Sequence, residues 1–400
     1  MHALPGAVHA RRLTRSRVNR GACPHTERRL TIRIVCAPNA FKGSISAGDA
    51  AHAMALGVLD AGGVPVEVPV ADGGDGTLDV LLAADEGSRV TEHPVTDPLG
   101  AMVSARLGWL SDGSAVVEMA EASGLRLLGY RFADPLRATS RGTGELIRAA
   151  LDGGATRIIV GVGGSASTDG GAGLLQALGA RLLDEEGRDI EPGGWGLGEL
   201  ASIRLDGLDP RLRNVSVQVA ADVRNPLLGP GGAAAVFAPQ KGARPEDVTI
   251  LEAALERLVA VADGDAAEVA ATPGSGAAGG AAFALMLIGA SRVRGAVLIC
   301  HLVGLDAALD GADLVLTGEG RLDAQTSWGK APAEVARRAS LAGVPCVAIA
   351  GSVQDLPIDL AGLFGTVVSL SAVARGADTF SEAAALLRAE AAQAVVTSVR

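Results

Sequence analysis

The sequence is poor in the side chains that several common functions need. Aromatic residues make up 2% of its 400 positions. Proteins that hold single-stranded nucleic acid stack bases on aromatic side chains, so that role is not expected. The formal net charge is −10, and residues 1–30 hold seven arginines against one glutamate, so the rest of the chain is more acidic still. An acidic body argues against nucleic acids and anionic membranes as partners.

Cysteine and histidine are also scarce. The four cysteines show no CxxC spacing, which indicates reduced, buried thiols and predicts a cytoplasmic location. Beyond residue 30 the only histidines are the isolated His52, His93 and His301, so a histidine-rich metal site is not expected. The sequence has no apolar run of about 18 residues, so no transmembrane helix is expected.

Lysine is the rarest charged residue. The chain has 35 basic residues, but only Lys42, Lys241 and Lys330 are lysines, and each adjoins a glycine. A lysine ammonium is a compact point charge on a flexible stem, and phosphate-handling sites use it in this way. The three lysines are therefore predicted to have functional roles.

Polar side chains are crowded into the segment at 314–330, LVLTGEGRLDAQTSWGK. Leu314–Thr317 is predicted to be a buried strand, and Pro332 suits the first turn of the next helix, which is predicted at Ala331–Ala342. The connection between them presents Arg321, Asp323, Ser327 and Lys330. Loops that follow the carboxyl ends of strands bind ligands in open α/β sheets, so this segment is a candidate site.

The secondary-structure pattern changes twice along the chain. Strands and helices alternate at first, short strands with turn signals begin near residue 90, and the alternation returns from Asp313. We therefore predict an α/β fold with a parallel-sheet, Rossmann-like domain formed by residues 31–85 plus 286–400. An inserted mixed α/β domain, residues 86–285, interrupts it, and the active site is expected in the cleft. Residues 1–30 lack an apolar period and are predicted to be a disordered extension.

Four glycine-rich turns, at 72–77, 161–173, 274–280 and 318–320, follow strands or open helices. Glycines let backbone N–H groups approach a phosphate closely. Carboxylates stand in or near these turns: Asp72, Asp75, Asp169, Asp222, Glu319 and Asp323. Amide cradles, cations and carboxylates are the parts that phosphoryl transfer requires.

Several other enzyme classes are excluded by missing motifs. The chain has no P-loop motif, no protein-kinase signature set and no G-x-S-x-G elbow. The GSGAAGG run at 274–280 fits G-x-G-x-x-G, but no strand precedes it, so a dinucleotide site is not indicated.

From Ile32 onward almost the whole chain resembles the type I glycerate kinases. The resemblance rests on collinear motifs: APNAFKGSISA at 37–47, VADGGDGT at 70–77, TSRGTGEL at 139–146, GVGGSASTDGGAG at 161–173, ADVRNPLLG at 221–229, PQKGA at 239–243, GSGAAGG at 274–280 and TGEGRLD at 317–323 with GK at 329–330. It implies two α/β domains with the active site between them, ATP with Mg²⁺ as cofactors, and glycerate as the acceptor.

These motifs supply the candidate site residues. Catalytic roles are predicted for Lys42, Asp72, Asp169, Arg321 and Lys330. Substrate binding is predicted for Asn39, Ser140, Arg141 and Asp323. Cofactor binding is predicted for Gly163, Gly164, Ser165, Lys241, Gly276, Gly279 and Gly280. Asp222 and Glu319 are predicted to bind the metal ion.

The chain departs from the family pattern at two positions. Asn39 stands where many members have aspartate, and its neutral amide cannot act as a base. Asp75 stands where glutamate is common. The family favours the 2-hydroxyl of D-glycerate as acceptor. Phosphorylation of the 3-hydroxyl, a different small hydroxy-acid kinase or acyl-phosphate enzyme, and a non-catalytic sugar-acid or nucleotide-binding protein stay open as alternatives.

Overall fold

The computed structural model describes residues 32–129, 133–262, 264–324, 326, 329–374 and 381–398, so the predictions for residues 1–30 and for Ser327 lie outside the described residues. The strands are β1 Arg33–Pro38, β2 Val64–Glu67, β3 Arg89–Thr96, β4 Met102–Trp109, β5 Ser114–Glu118, β6 Arg157–Gly161, β7 Arg181–Leu183, β8 Ser202–Arg204, β9 Ser216–Ala220, β10 Ser291–Val293, β11 Leu314–Gly318, β12 Arg321–Leu322, β13 Cys346–Ala350, β14 Ser352–Val353 and β15 Thr366–Ser369.

The α-helices are α1 Ala47–Asp60, α2 Thr77–Ala84, α3 Met119–Ser123, α4 Arg141–Asp152, α5 Ala172–Ala177, α6 Ala233–Phe237, α7 Pro245–Val261, α8 Ala266–Ala271, α9 Ala281–Leu287, α10 Gly295–Leu302, α11 Leu305–Leu309, α12 Ala331–Ala342, α13 Ile358–Ala361, α14 Leu370–Val373 and α15 Ala383–Ser398. Short 3-10 helices span Leu125–Leu128, Gly194–Glu199, Pro210–Asn214, Pro239–Lys241 and Ala277–Gly280.

The first sheet is wholly parallel and has the strand order β15-β13-β11-β1-β2. The chain leaves β1 for β2 on one side and later returns to β11 on the other, so the strand order reverses between β1 and β11. At this point the Asn39 N–H donates to the Gly318 carbonyl oxygen at 2.8 Å. Such reversal points, outside the carboxyl ends of the strands, are where open α/β sheets bind ligands.

Both faces of this sheet are buried, because successive side chains of a strand point to opposite faces. Ile34 and Cys36 of β1 pack with α1 and α15, whereas Val35 and Ala37 pack with α12 on the other face. The strands of this sheet are apolar along their whole length because helices cover both faces of the sheet. β2 is an edge strand, a position that suits its Pro65, which has no N–H group to donate to a further strand.

The second sheet is mixed, with the order β10-β9-β6-β5-β4-β3. Strands β3, β4 and β5 form the predicted antiparallel meander, and β5, β6, β9 and β10 run parallel. The α/β class and the combination of one parallel and one mixed sheet are thus confirmed.

Helix α10 joins the two sheets. Its Ala296 and Cys300 lie in a core of the first sheet, and its Ile299 packs with Val116 and Ile159 of the second sheet. Ile32–Arg400 forms one compact unit. The division into two domains therefore stays a prediction, which the two sheets support, although β10 carries the second sheet beyond the expected boundary at 285. Among the described residues no helix is both long and apolar enough to cross a membrane.

Candidate active site

A cavity of about 710 Å³ opens where the chain leaves β1, β6 and β9. Its wall brings together eight of the predicted site residues: Lys42, Asp72, Gly163, Gly164, Ser165, Asp222, Lys241 and Lys330. These residues come from segments that are far apart in sequence, and the carboxyl ends of the parallel strands bring the segments together.

Two of the predicted glycine loops form one side of the cavity by packing against each other. The Gly163 N–H donates to the Gly73 carbonyl oxygen at 3.0 Å. A Cβ added to Gly163 would stand 2.3 Å from the Cα of Gly74. Glycine is needed at 163 because two backbones touch there, whatever the loops also bind.

Two buried carboxylates, Glu319 and Asp222, lie close to the charge of Asp72 in the cavity wall. Burial raises the pKa of Glu319 to about 7, and the charge of Asp72 adds to the rise while Lys330 opposes it. Burial also raises the pKa of Asp222 to about 7, again with a contribution from Asp72. Asp72 therefore lies close to both of the other acids. Desolvated carboxylates with raised pKa values, such as Glu319 and Asp222, are typical of catalytic or ion-binding sites.

Asp222 has a carboxylate that fits a hard cation. Its Oδ2 accepts the Ala296 N–H at 2.8 Å, but its buried Oδ1 has no hydrogen-bond partner among the described residues. Asp75 also lines the cavity, and its buried Oδ1 likewise has no hydrogen-bond partner among the described residues. The described residues contain no group of three or more potential ligands, so the protein alone does not complete a metal site. Mg²⁺ is commonly held by one or two carboxylates together with substrate phosphates, and Asp222 and Asp75 suit that arrangement.

Two lysines face these acids. The Lys42 Nζ lies beside Gly74, 3.9 Å from where a Cβ of that glycine would stand. The Lys330 Nζ is 3.9 Å from the Asp323 Oδ1. The Glu319 Oε1 accepts a hydrogen bond from the Thr326 hydroxyl at 2.8 Å, which fixes this carboxylate near Lys330.

Lys241 is a buried cation in the cavity wall. Its side chain is 3% exposed, and its Nζ donates to the carbonyl oxygen of Ser167. Burial lowers the pKa of Lys241 to about 7, and the nearby charge of Asp169 opposes that shift. An ammonium with few partners at a cavity wall would be stabilised by an anionic ligand.

Asp169 and Ser140 lie behind this wall. The Asp169 Oδ2 accepts the Ser140 N–H and the Ser140 hydroxyl at 2.8 Å each and the Gly173 N–H at 3.2 Å, while its Oδ1 accepts the Gly171 N–H at 3.1 Å. Both residues are fully buried. With its oxygens occupied in this way, Asp169 holds the 161–173 loop on the start of α4.

Arg141 lines a second cavity, also of about 710 Å³, and pairs with Glu145 at 3.0 Å. Asn39 is buried, and its Oδ1 accepts the Ala40 N–H at 2.8 Å. Arg321 is exposed on β12. The structure therefore does not bring these three predicted residues into the wall of the first cavity.

The predicted glycines of the 274–280 run also lie outside that wall. A Cβ on Gly276 would stand 2.2 Å from the Pro226 carbonyl oxygen, and one on Gly279 would stand 2.2 Å from that of Ser167. A Cβ on Gly280 would stand 2.7 Å from the Cα of Gly170. These glycines permit close packing of three loops, and the alanines between them, Ala277 and Ala278, face the cavity.

Sequence reasoning missed two residues that support the site. Glu118, at the end of β5, accepts the Gly76 N–H at 3.1 Å and the Leu78 N–H at 2.9 Å, and so holds the 72–77 loop at the start of α2. Burial raises the pKa of Glu118 to about 7. Arg294 lies over Gly329, beside Lys330, and its charge favours the ionised form of Asp222. Each is a single charge in an otherwise unremarkable stretch, so no motif identified it.

Comparisons with known proteins show the family of the chain. A sequence model of the glycerate kinase family matches residues 34–399. A glycerate kinase from Bacillus subtilis (strain 168) is 48% identical over 328 residues, which is 81% of this chain and 86% of the relative. A glycerate 2-kinase from Escherichia coli (strain K12) is 45% identical over 330 residues, with the same coverage. A crystal structure described as glycerate kinase 2 from Salmonella typhimurium LT2 superposes with a TM-score of 0.75 at 41% identity and covers 92% of this chain and 98% of that one. The chain therefore belongs to the glycerate kinase family of phosphotransferases.

Proposed function

We propose that this protein transfers the γ-phosphoryl group of ATP to D-glycerate, with the 2-hydroxyl as the acceptor and Mg²⁺ as the metal ion. Membership of the glycerate kinase family supports the kinase activity and the substrate. The relative named glycerate 2-kinase supports the choice of hydroxyl. The observation that carries the proposal is the meeting of Lys42, Lys330, Asp72 and Asp222 at one cavity, with the buried Glu319 close to Asp72 and Lys330.

Asp222 and Asp75 would hold Mg²⁺ through their unpartnered oxygens, and Glu319 stays a candidate for a further ligand. When bound, Mg²⁺ offsets the charge of the phosphate oxygens. Lys42 and Lys330 would contribute positive charge for the phosphates and for the glycerate carboxylate.

Asp72 is the proposed base that orients the glycerate hydroxyl and accepts its proton. It lines the cavity, and its Oδ1 accepts the Gly74 N–H at 3.2 Å, which directs the carboxylate from within the 72–77 loop. Asp169 and Ser140 would act as positioning residues, because they hold the loop that carries Gly163, Gly164 and Ser165. Arg321 and Arg141 stay candidates for binding the substrate carboxylate, and Asp323 stays a candidate for binding another part of the substrate.

A cytoplasmic location and the absence of nucleic-acid partners also belong to the proposal. The described cysteines Cys36, Cys300 and Cys346 are free and buried, which suits a reducing compartment. The acidic net charge of −10 disfavours binding to nucleic acid.

ATP turnover with and without D-glycerate tests the proposal. The purified protein should release ADP from Mg-ATP only when D-glycerate is present, and other small hydroxy acids should support much slower release. Faster turnover with a different hydroxy acid would replace glycerate as the substrate. No turnover with any of them would favour a non-catalytic binding protein.

A further inference from the structure

The wall of the first cavity has two chemically different parts. One part carries the charged residues Lys42, Asp72, Asp222 and Lys330. Another part, from α6 and from the 3-10 helix Ala277–Gly280, presents apolar side chains: Val236, Phe237, Ala277 and Ala278. Two further cations, Arg126 and Lys241, also line the cavity. A ligand that fills such a cavity would match it with one charged end and one flat or apolar end.

Backbone contacts order these parts along the cavity. Lys42 lies beside Gly74, Gly74 packs on Gly163, and the Gly164 carbonyl oxygen accepts the Leu125 N–H at 2.8 Å. Lys241, just beyond α6, reaches Ser167 on the far part of the same loop. The 161–167 segment thus runs from the charged part, near β1, to the apolar part, near α6.

Phe237 differs from the other phenylalanines that the structure describes. Phe41, Phe283 and Phe364 are core residues, exposed by 5% or less. Phe237 is partly exposed at the cavity wall, and its neighbour Val236 is 39% exposed. In a chain with 2% aromatic residues, a phenyl ring left open to a cavity suggests contact with a ligand.

Ala278 has an unusual backbone conformation beside this ring. It is one of two non-glycine residues with positive φ in the described part of the chain, with φ 55° and ψ 39°. The left-handed conformation is strained for alanine, and backbone strain in folded proteins is often found at binding sites. Gly279 and Gly280, which follow, also have positive φ, of 65° and 93°.

We infer that the nucleobase of the phosphoryl donor lies at this apolar end, against the ring of Phe237 and the backbone of Ala277–Ala278. Its phosphate chain then extends along the glycine loops towards Lys42 and Lys330. Gln240, on the same turn as Phe237, also lines the cavity and can both donate and accept hydrogen bonds at the edge of the base. The inference rests on the proposed use of ATP and adds which end of the cavity holds the base.

Calorimetry with two probes tests the inference: Mg-ATP, which has a base, and Mg-tripolyphosphate, which has none. Phe237→Ala should weaken binding of Mg-ATP on the order of tenfold, the usual effect of losing one aromatic stacking partner, and leave binding of Mg-tripolyphosphate unchanged. Lys330→Gln should weaken both probes. Trp195→Ala is the matched control, because this aromatic residue is 50% exposed and lines neither cavity. F237W should recover most of the affinity for Mg-ATP, and circular dichroism should show that each variant is folded.

Unchanged binding of Mg-ATP by a folded Phe237→Ala variant would overturn the inference and leave the proposed function intact. Equal weakening of both probes would also overturn it, because a general distortion of the cavity would then be the cause. Wild-type protein that binds neither probe would overturn the proposed function as well.

Discussion

The backbone of Gly163 touches the backbone of Gly73, with a hydrogen bond of 3.0 Å from the Gly163 N–H to the Gly73 carbonyl oxygen. This contact joins the turn after β6 to the turn that carries Asp72 and Asp75. It therefore links the second sheet to the loop with the proposed base, and it sets the distance between the two glycine loops in the cavity wall.

Gly163→Ala should damage both stability and activity. The new methyl group would stand 2.3 Å from the Gly74 Cα, so one loop must move. We expect a loss of roughly 2 kcal/mol in the free energy of unfolding, typical of overpacking, with a large fall in kcat/KM. Gly198→Ala is the control, because a Cβ there meets nothing within 4 Å. Full activity in the Gly163→Ala variant would show that the loop contact is not needed.

Lys330→Arg should lower kcat roughly 100-fold while the protein stays folded, a magnitude typical of losing one charged or hydrogen-bonding group at a transition state. The planar guanidinium is larger than the ammonium and cannot reproduce a point contact. Lys42→Arg is expected to act in the same way. Steady-state kinetics with circular dichroism measure both effects. If both variants keep wild-type kcat, the reasoning from lysine scarcity is wrong.

Asp222→Asn should change the metal dependence of the reaction. The neutral amide would remove one of the two carboxylates proposed to hold the ion, so the Mg²⁺ concentration for half-maximal rate should rise about tenfold or more. Asp206→Asn provides the control, because Asp206 is exposed and pairs only with Arg204 among the described residues. A Mg²⁺ titration that matches wild type would remove Asp222 from the metal site.

Lys241→Met should alter how stability depends on pH. The pKa of Lys241 is lowered from 10.5 to about 7 in the folded protein, so between these values the unfolded chain binds a proton that the folded one does not. The free energy of unfolding of the wild type therefore gains a term that rises with pH across this window. The variant lacks that term, and its stability relative to wild type should be highest below about pH 7 and fall as the pH increases. Urea denaturation of both proteins from about pH 6.5 to 9.5 measures the difference, and a constant difference would contradict the burial of this charge.

The sequence predicted regular elements best where local signals marked their ends. Helix α12 was predicted at Ala331–Ala342 and has those bounds, because Pro332 stands in its first turn and Gly343 takes a left-handed conformation just after it. Strand β10 was not predicted, since its three residues carry too short a pattern to separate from the surrounding loop. It exists through parallel pairing with β9, which depends on tertiary structure.

Several of the predicted site residues were expected to lie together because they follow parallel strands. Lys42, Asp72 and Asp222 each follow a strand, and the ends of parallel strands meet at one edge of a sheet. Arg141 does not follow a strand: it begins α4 and lies at the second cavity. Glu118 and Arg294 act through single contacts, and only the folded structure brings those contacts together.

Phosphorus NMR of the reaction products tests the central claim most directly. The purified protein is incubated with Mg-ATP and D-glycerate, and the spectrum is recorded as ADP accumulates. We predict the signal of 2-phosphoglycerate, in an amount equal to the ATP consumed. A 3-phosphoglycerate signal would keep the kinase but contradict the proposed acceptor, and a spectrum with no phosphoglycerate while ATP and glycerate stay intact would contradict the proposed function.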